Sequence, residues 1–573
     1  MVAAGAAGTW TRPARPLRCT WGASGFRLGA PSSIHPACLR PRREAAGVGA
    51  GRRKMLHVVG VAGRGRADGG RQATRGPTAG GRGRGGAASS SSEQQDALAL
   101  AVLNARRAEE VGSVLDAAVE LDAWRLGVVL AALGRDRGPG AMRAAEWTME
   151  WGKRKPGLLN VVHYTSLLTQ LGRRGRWKDA EAAFDEMKAA AMLPTVVAYN
   201  TLVSAYEKGG GQWERAEAAV AEMRAAGLRP DIYTYSALVS AYEKGGGQWE
   251  RAEAAIEEMR AAGVQPNIYT YSALVSAYEK GGGQWERAEA AMAEMRAAGV
   301  APNSYTYNAL ISAYGKGGGQ WERAEAAVEA MRAAGVQPDL RTYGALISAY
   351  EKGGGQWERA EAAFKEMKAA RVQCDAVVYN SLISTLAKGG QWVRARDLLA
   401  EMKEAGVQPD VITYNALITA FEKGAQWERA EAAFEEMKAA RLLPDQTTFN
   451  ALISAYEKGG GQWAKAEAAM KEMKEAGVQP DVITFNALIS SYEKGGGQWE
   501  RAEAVMYKMR MAGLQPTERT YNALISTYAK GGGQWERAEA AVKAMRKAGV
   551  PATAITYNAL ITACEHGGQV SPV

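Results

Sequence analysis

Short polar side chains recur in this sequence at a fixed interval, and their types suit hydrogen-bonded recognition. Thr165, Asn200, Ser236, Ser272, Asn308, Gly344, Asn380, Asn415, Asn450, Asn486 and Asn522 occupy one place that repeats every 35 or 36 residues, between a constant Tyr or Phe and a small residue followed by Leu. Asn, Ser, Thr and Gly are poor in a helix interior. An exposed first turn that tolerates short polar residues is one reason for their restriction to this place; selection for recognition is the reading favoured here. A second series is Thr195, Asp231, Asn267, Asn303, Asp339, Asp375, Asp410, Asp445, Asp481, Thr517 and Thr553. These are helix N-cap types, so capping competes with recognition as their explanation. A third series is cationic, with Arg173, Lys208, Lys244, Lys280, Lys316, Lys352, Lys388, Lys423, Lys458, Lys494 and Lys530. Set at the end of a helix, each stabilises the helix dipole by roughly 0.3–1 kcal/mol. Catalytic and metal chemistry is not expected. The four cysteines (19, 38, 374 and 564) and four histidines (35, 57, 163 and 566) have neither zinc-site nor disulfide spacing, and no His-x-Glu with Cys-x-x-Cys is present. The cysteine usage suits a reducing compartment, and no cofactor is expected.

The elements that carry these residues follow from the motif Gln-Trp-Glu-Arg-Ala-Glu-Ala. Its Trp falls at 177, 213, 249, 285, 321, 357, 392, 427, 463, 499 and 535, so eleven of the sixteen tryptophans are one repeated position. Such a period implies a solenoid in which each unit buries a face against the next. Within a unit, Tyr199, Leu202, Val203 and Tyr206 lie at i, i+3, i+4 and i+7, the stripe of a first helix. Gly209, Gly210 and Gly211 break the chain. A second helix, alanine-rich, is expected from about Gln212 to Ala226, with Trp213, Ala216, Val220 and Met223 on one face. Gly227 stops it, Pro230 follows, and Asp231 caps the next helix. The expected fold is all-α, a superhelix of tandem helix–turn–helix units. Units begin at Val161, Val196, Ile232, Ile268, Ser304, Leu340, Ala376, Val411, Gln446, Val482 and Glu518. Residues 161–553 thus hold eleven units, and 554–573 hold a partial twelfth. Residues 93–160 read as degenerate repeats or an N-terminal cap, with Leu130 and Leu133 matching Leu168 and Leu171.

Charge is unevenly distributed. Residues 1–92 contain sixteen basic residues against two acids, an excess of fourteen positive charges. With the whole chain at +10, the remaining 481 residues carry a net −4, so any cationic surface on the array arises from local placement. The leader is rich in Arg, Ala, Gly and Ser and cannot bury a core. Its composition is that of an organelle transit peptide; an Arg/Gly RNA-binding tail and a leader translated from outside the true gene start are the alternatives. No run of apolar residues has the ~18-residue length of a transmembrane helix, and no membrane partner is expected.

The phrases Val-Ile-Thr-Tyr-Asn-Ala-Leu-Ile (411–418) and Glu-Met-Lys-Glu-Ala-Gly-Val-Gln-Pro-Asp (401–410) resemble the pentatricopeptide repeat, as does the period. The resemblance covers residues 161–573 almost without gaps. The tetratricopeptide repeat, the nearest alternative, has a 34-residue period and places its Trp in the first helix. The Gly-Gly-Gly insertion departs from the family and is expected to change the hairpin loop, not the face that carries the recognition residues. The resemblance implies single-stranded RNA as the partner, with one base per unit. It assigns base reading to the fifth and last residues of each unit, the two polar series above. It assigns stacking on the bases to the second residues, Val162, Val197, Tyr233, Tyr269, Tyr305, Arg341, Val377, Ile412, Thr447, Ile483 and Arg519. Three successive tyrosines make the middle of the array the best stacking platform. The cationic series then becomes a row of phosphate contacts. Read through the family's pairings, units one to eleven imply 5′-R-U-A-A-U-G-U-U-U-Y-Y-3′.

The expected function is that of a noncatalytic adaptor in organelle RNA processing, stability or translation. The resemblance points to the chloroplast, with the mitochondrion as the alternative. A protein–protein scaffold of tetratricopeptide type is the competing class, and an RNA-processing enzyme lacking its C-terminal domain is a third. The array stops after the first helix of the twelfth unit; a protein partner, or further chain, is expected to cover that apolar face.

Overall fold

The computed structural model describes residues 97–118, 121–136 and 138–568. Every regular element among them is an α-helix. Residues 1–92, with the transit-peptide reading, lie outside the described residues, as do 569–573. A helix over 97–104 and another at Ala108–Asp116 come first. Ala123–Arg135 and Pro139–Lys153 then form a hairpin. From Val161 onward, thirteen-residue helices alternate. First helices run from Val161–Arg173 to Ala554–His566, each starting at the first residue of its unit. Second helices run from Trp177–Ala189 to Trp535–Lys547, each starting at the motif Trp.

Local chemistry sets these limits. Asp231, in extended backbone, accepts the N–H groups of Tyr233 and Thr234 at 2.9 Å, which satisfies two of the orphan donors that open a helix. At the far end, Trp213–Ala225 closes with Gly227 at φ +75°, its N–H donating to the Arg224 carbonyl while Leu228 N–H donates to that of Met223.

The core is a continuous seam. First helices pack on the first helices of neighbouring units and on their own second helices. Tyr199, Leu202, Val203 and Tyr206 are buried, as are Ala216, Val220 and Met223. Burying a side chain of Leu or Met size contributes roughly 1.5–3 kcal/mol, so each unit depends on its neighbours for most of its stability. The motif Trp is only half-buried. Its ring lies over the next unit, with Trp213 6.1 Å from Tyr242 between centroids, and similar tilted pairs along the array.

The glycine triplet does more than close a hairpin loop. A Cβ on Gly245 would lie 2.4 Å from Trp213 Cδ1 and 2.6 Å from the Gly211 carbonyl. A Cβ on Gly211, at φ +68°, would lie 2.3 Å from the Gly245 amide nitrogen. The triplets of adjacent units therefore meet backbone to backbone, a contact between units that the sequence alone assigned to the loop.

Candidate functional site

The fifth and last residues of a unit converge because the first helix presents its fifth residue toward the N-terminus of the next first helix, where the last residue is the cap. Asn200, Asn308, Asn380, Asn415 and Asn450 each donate from Nδ2 to the carboxylate of Asp231, Asp339, Asp410, Asp445 and Asp481 at 3.0–3.2 Å. Asn486 donates to Thr517 Oγ1 at 3.4 Å. Other units are joined less directly. Ser236 and Ser272 share a hydrogen with Thr270 and Thr306 at 2.9 and 2.7 Å, and those threonines donate to Asn267 and Asn303. Asn522 and Thr553 both donate to Glu518. Thr165 is turned back to the Val161 carbonyl and does not meet Thr195, which caps Ala198. Gly344 offers no side chain, and Asp375 caps Val378 N–H at 3.0 Å.

The second residues stand on the same face. Val162, Val197, Tyr233, Tyr269, Val377, Ile412 and Ile483 are exposed, and so are Arg341, Thr447 and Arg519. The tyrosines are not equivalent: Tyr233 and Tyr269 are 73% and 72% exposed, Tyr305 only 41%. The Tyr305 hydroxyl donates to Glu243, two units back, at 3.0 Å and lies 3.3 Å from Ser276 Oγ. Burial pushes its phenol pKa above the ordinary value. The uniform platform expected from three tyrosines is thus two free rings and one tethered ring. Two clefts gather these residues. One of about 770 Å³ is lined by Val197, Tyr233 and Tyr269, by Asn200, Asp231, Ser236 and Asn267, and by Arg173 and Lys208. Another of about 660 Å³ is lined by Tyr305, Arg341 and Val377, with Asn308, Gly344, Asp375 and Lys280. Each gathers side chains from more than one unit.

The cationic row is largely neutralised. Lys244, Lys280, Lys316, Lys388, Lys458, Lys494 and Lys530 pair at 2.5–3.1 Å with Glu207, Glu243, Glu279, Glu351, Glu422, Glu457 and Glu493, the twelfth residue of the preceding unit. Where that residue is Gly172, Gly315 or Ala387, no acid is present at that place, and among the described residues Lys208, Lys352 and Lys423 form no ion pair. Lys423 donates to the Lys388 carbonyl and Arg173 to that of Gly134. The lysine row alone, read from the sequence, gave no hint of these partners; the Glu twelve places into most units was the available signal.

The Arg of the Trp motif spans two units. Arg251 stacks 4.5 Å from the Trp213 ring and pairs with Glu217 at 2.7 Å, and Arg287, Arg323, Arg359, Arg501 and Arg537 repeat the arrangement on the preceding Trp and Glu. A half-exposed cation on an indole contributes about 0.5–1 kcal/mol, so these residues belong to the array's cohesion. No group of three or more His, Cys, Asp or Glu able to hold a metal occurs among the described residues, and no helix there is long and apolar enough to cross a membrane.

Sequence models of the PPR repeat family match residues 159–206, 305–352, 375–423, 409–458 and 520–566. The pentatricopeptide repeat domain matches 218–282, 254–317 and 468–531, and the PPR repeat 341–372 and 447–478. Two pentatricopeptide repeat-containing proteins of Arabidopsis thaliana are similar over short stretches, 39% identical over 69 residues and 41% over 51. These cover 12% and 9% of this chain, and only 8% and 5% of the relatives. Among solved structures, the maize pentatricopeptide repeat protein PPR10 is 29% identical with a TM-score of 0.43, across 83% of this chain and 66% of that one. PPR10 in complex with an 18-nt psaJ RNA element is 24% identical with a TM-score of 0.34, across 83% of this chain and 88% of that one. Taken together, the family matches extend over most of residues 159–566, and the chain belongs to the pentatricopeptide repeat family.

Proposed function

We propose that this chain is a noncatalytic reader of single-stranded RNA, one base per unit, acting in the processing, stability or translation of an organelle transcript. The observation that carries the reading is the direct pairing of fifth-place Asn with last-place Asp, flanked by exposed second residues from two successive units. That arrangement offers a base two faces to pack between and a hydrogen-bonding edge to meet. The amide supplies a donor and the carboxylate an acceptor; uracil presents the complementary carbonyl and N3–H. Bound RNA would be held unpaired and shielded from nucleases. The acid-poor leader supports an organelle destination, the chloroplast in the first instance and the mitochondrion otherwise. The test is binding of the full chain to 5′-R-U-A-A-U-G-U-U-U-Y-Y-3′ against a scrambled oligonucleotide of the same composition. Preference for the ordered sequence is expected; equal affinities would sink the assignment.

A further inference from the structure

A residue outside the two reading places touches nearly every reader: the third residue of the following unit. Thr413 Oγ1 donates to Asn380 Oδ1 at 2.5 Å, and six other Thr–Asn contacts along the array fall at 2.5–2.6 Å. The hydrogen bonds form a closed ring. Asp410 N–H donates to Thr413 Oγ1 at 3.1 Å, Thr413 to Asn380 Oδ1, and Asn380 Nδ2 to the Asp410 carboxylate at 3.0 Å. With Oδ1 held by the threonine and one amide hydrogen by the aspartate, the asparagine has one N–H left for a base.

The sequence varies in step with this geometry. Every unit with Asn or Ser at the fifth place is followed by Thr at the third place of the next unit. The two units whose fifth residue makes no such bond, Thr165 and Gly344, are followed by Ala198 and Val378. Helix capping alone does not account for this. Thr195 and Asp375 cap the helices that carry Ala198 and Val378 without any hydroxyl at that place.

We propose that the third-place threonine is a further specificity-determining residue, which positions the reading amide so that each base is read by side chains of two successive units. This rests on the RNA-binding reading above. The chemistry it selects is a carbonyl acceptor on the base. A fixed Nδ2–H meets uracil O4 but opposes the N4–H of cytosine. If the threonine is removed, only the Asp410 carboxylate still holds Nδ2, so turning the amide about its Cβ–Cγ bond to present Oδ1, which accepts from cytosine, costs one hydrogen bond instead of two.

The experiment measures affinities of the full chain for the eleven-base RNA with U or C at the seventh base, opposite Asn380, and separately at the second, opposite Asn200. Wild type, Thr413→Val and Thr413→Ser are compared. Val is borne at this place by the native helix Ala376–Lys388, so the variant has a folded precedent. The expected result is a U-over-C preference at the seventh base that falls roughly fivefold in Thr413→Val, the scale of one hydrogen bond. The preference at the second base should not change, and Thr413→Ser should restore the seventh. An unaltered preference in Thr413→Val overturns the proposal while the RNA reading stands. So does a uniform loss of affinity for every RNA, which marks a purely structural role. A wild type that does not distinguish U from C at either base overturns the reading itself and this proposal with it.

Discussion

The ion pairs on the lysine row fix how steeply RNA binding should depend on salt. Each phosphate contact to a single strand costs about 0.7 log units of affinity per log unit of salt. If all eleven cations met phosphate, the slope would be about −8. Seven of them are already matched by a glutamate within 2.5–3.1 Å. Those glutamate side chains are 5–20% exposed, so they are poorly placed to leave for solvent. Arg173, Lys208, Lys352 and Lys423 remain, and they predict a slope of about −3, a loss of roughly fifty-fold between 50 and 200 mM salt. The assay is fluorescence anisotropy with a labelled RNA across that range. Replacing Lys208, Lys352 and Lys423 with Gln should flatten the slope to about −0.7. Removing two complete pairs, Glu279→Gln with Lys316→Gln and Glu422→Gln with Lys458→Gln, should leave it nearly unchanged. A wild-type slope near −8, or a triple variant that keeps the wild-type slope, refutes the reasoning.

Two further outcomes concern stability. Gly245→Ala should destabilise the array by about 2–4 kcal/mol in chemical denaturation, because the added methyl meets backbone as well as Trp213; Gly315→Ala, whose methyl would lie 3.5 Å from Ala349, should be neutral or stabilising by up to about 1 kcal/mol. His163 is buried with Nε2 2.7 Å from the Ala123 carbonyl and Nδ1 accepting from Asn160 N–H, and burial holds its pKa below the ordinary 6.5. The neutral ring is the native form, so its contribution is complete above pH 6.5 and is lost as pH falls below it. Measured against the intrinsic exchange rate at each pH, amide protection in Ala123–Arg135 and Val161–Arg173 should therefore fall on acidification from pH 7 to about 5.5, and His163→Gln should abolish that fall in protection.

Much of the architecture is legible in the sequence because it is local and repeated. The Pro-Asp pair, the motif Trp and Gly227 each act within a few residues, so eleven copies of the same pattern leave little freedom in where the helices start. The joining of Asn200 to Asp231 is less local, yet it follows once both are placed on their helices. What the residues alone did not disclose lies between units. Lys280 and Glu243 are 37 residues apart, as are Lys494 and Glu457, and neither residue type predicts the other. Arg251 looks like a solvent residue until Trp213 of the preceding unit is brought beneath it. Tyr305 reads as a third free ring, and only the tertiary approach of Glu243 tethers it. The threonine series was visible in the sequence, but its pairing with the fifth place appears only across a unit boundary.

The central claim is that the fifth and last side chains choose the base. It is tested most directly by rewriting one pair, Asn415→Ser with Asp445→Asn, which gives unit eight the pair found at Ser236 and Asn267. Affinities for RNAs with U or A at the eighth base are then compared in wild type and variant. The account predicts that wild type prefers U and the variant prefers A, with the other ten bases unaffected. A variant that keeps the wild-type preference, or that loses affinity for both RNAs alike, would contradict it.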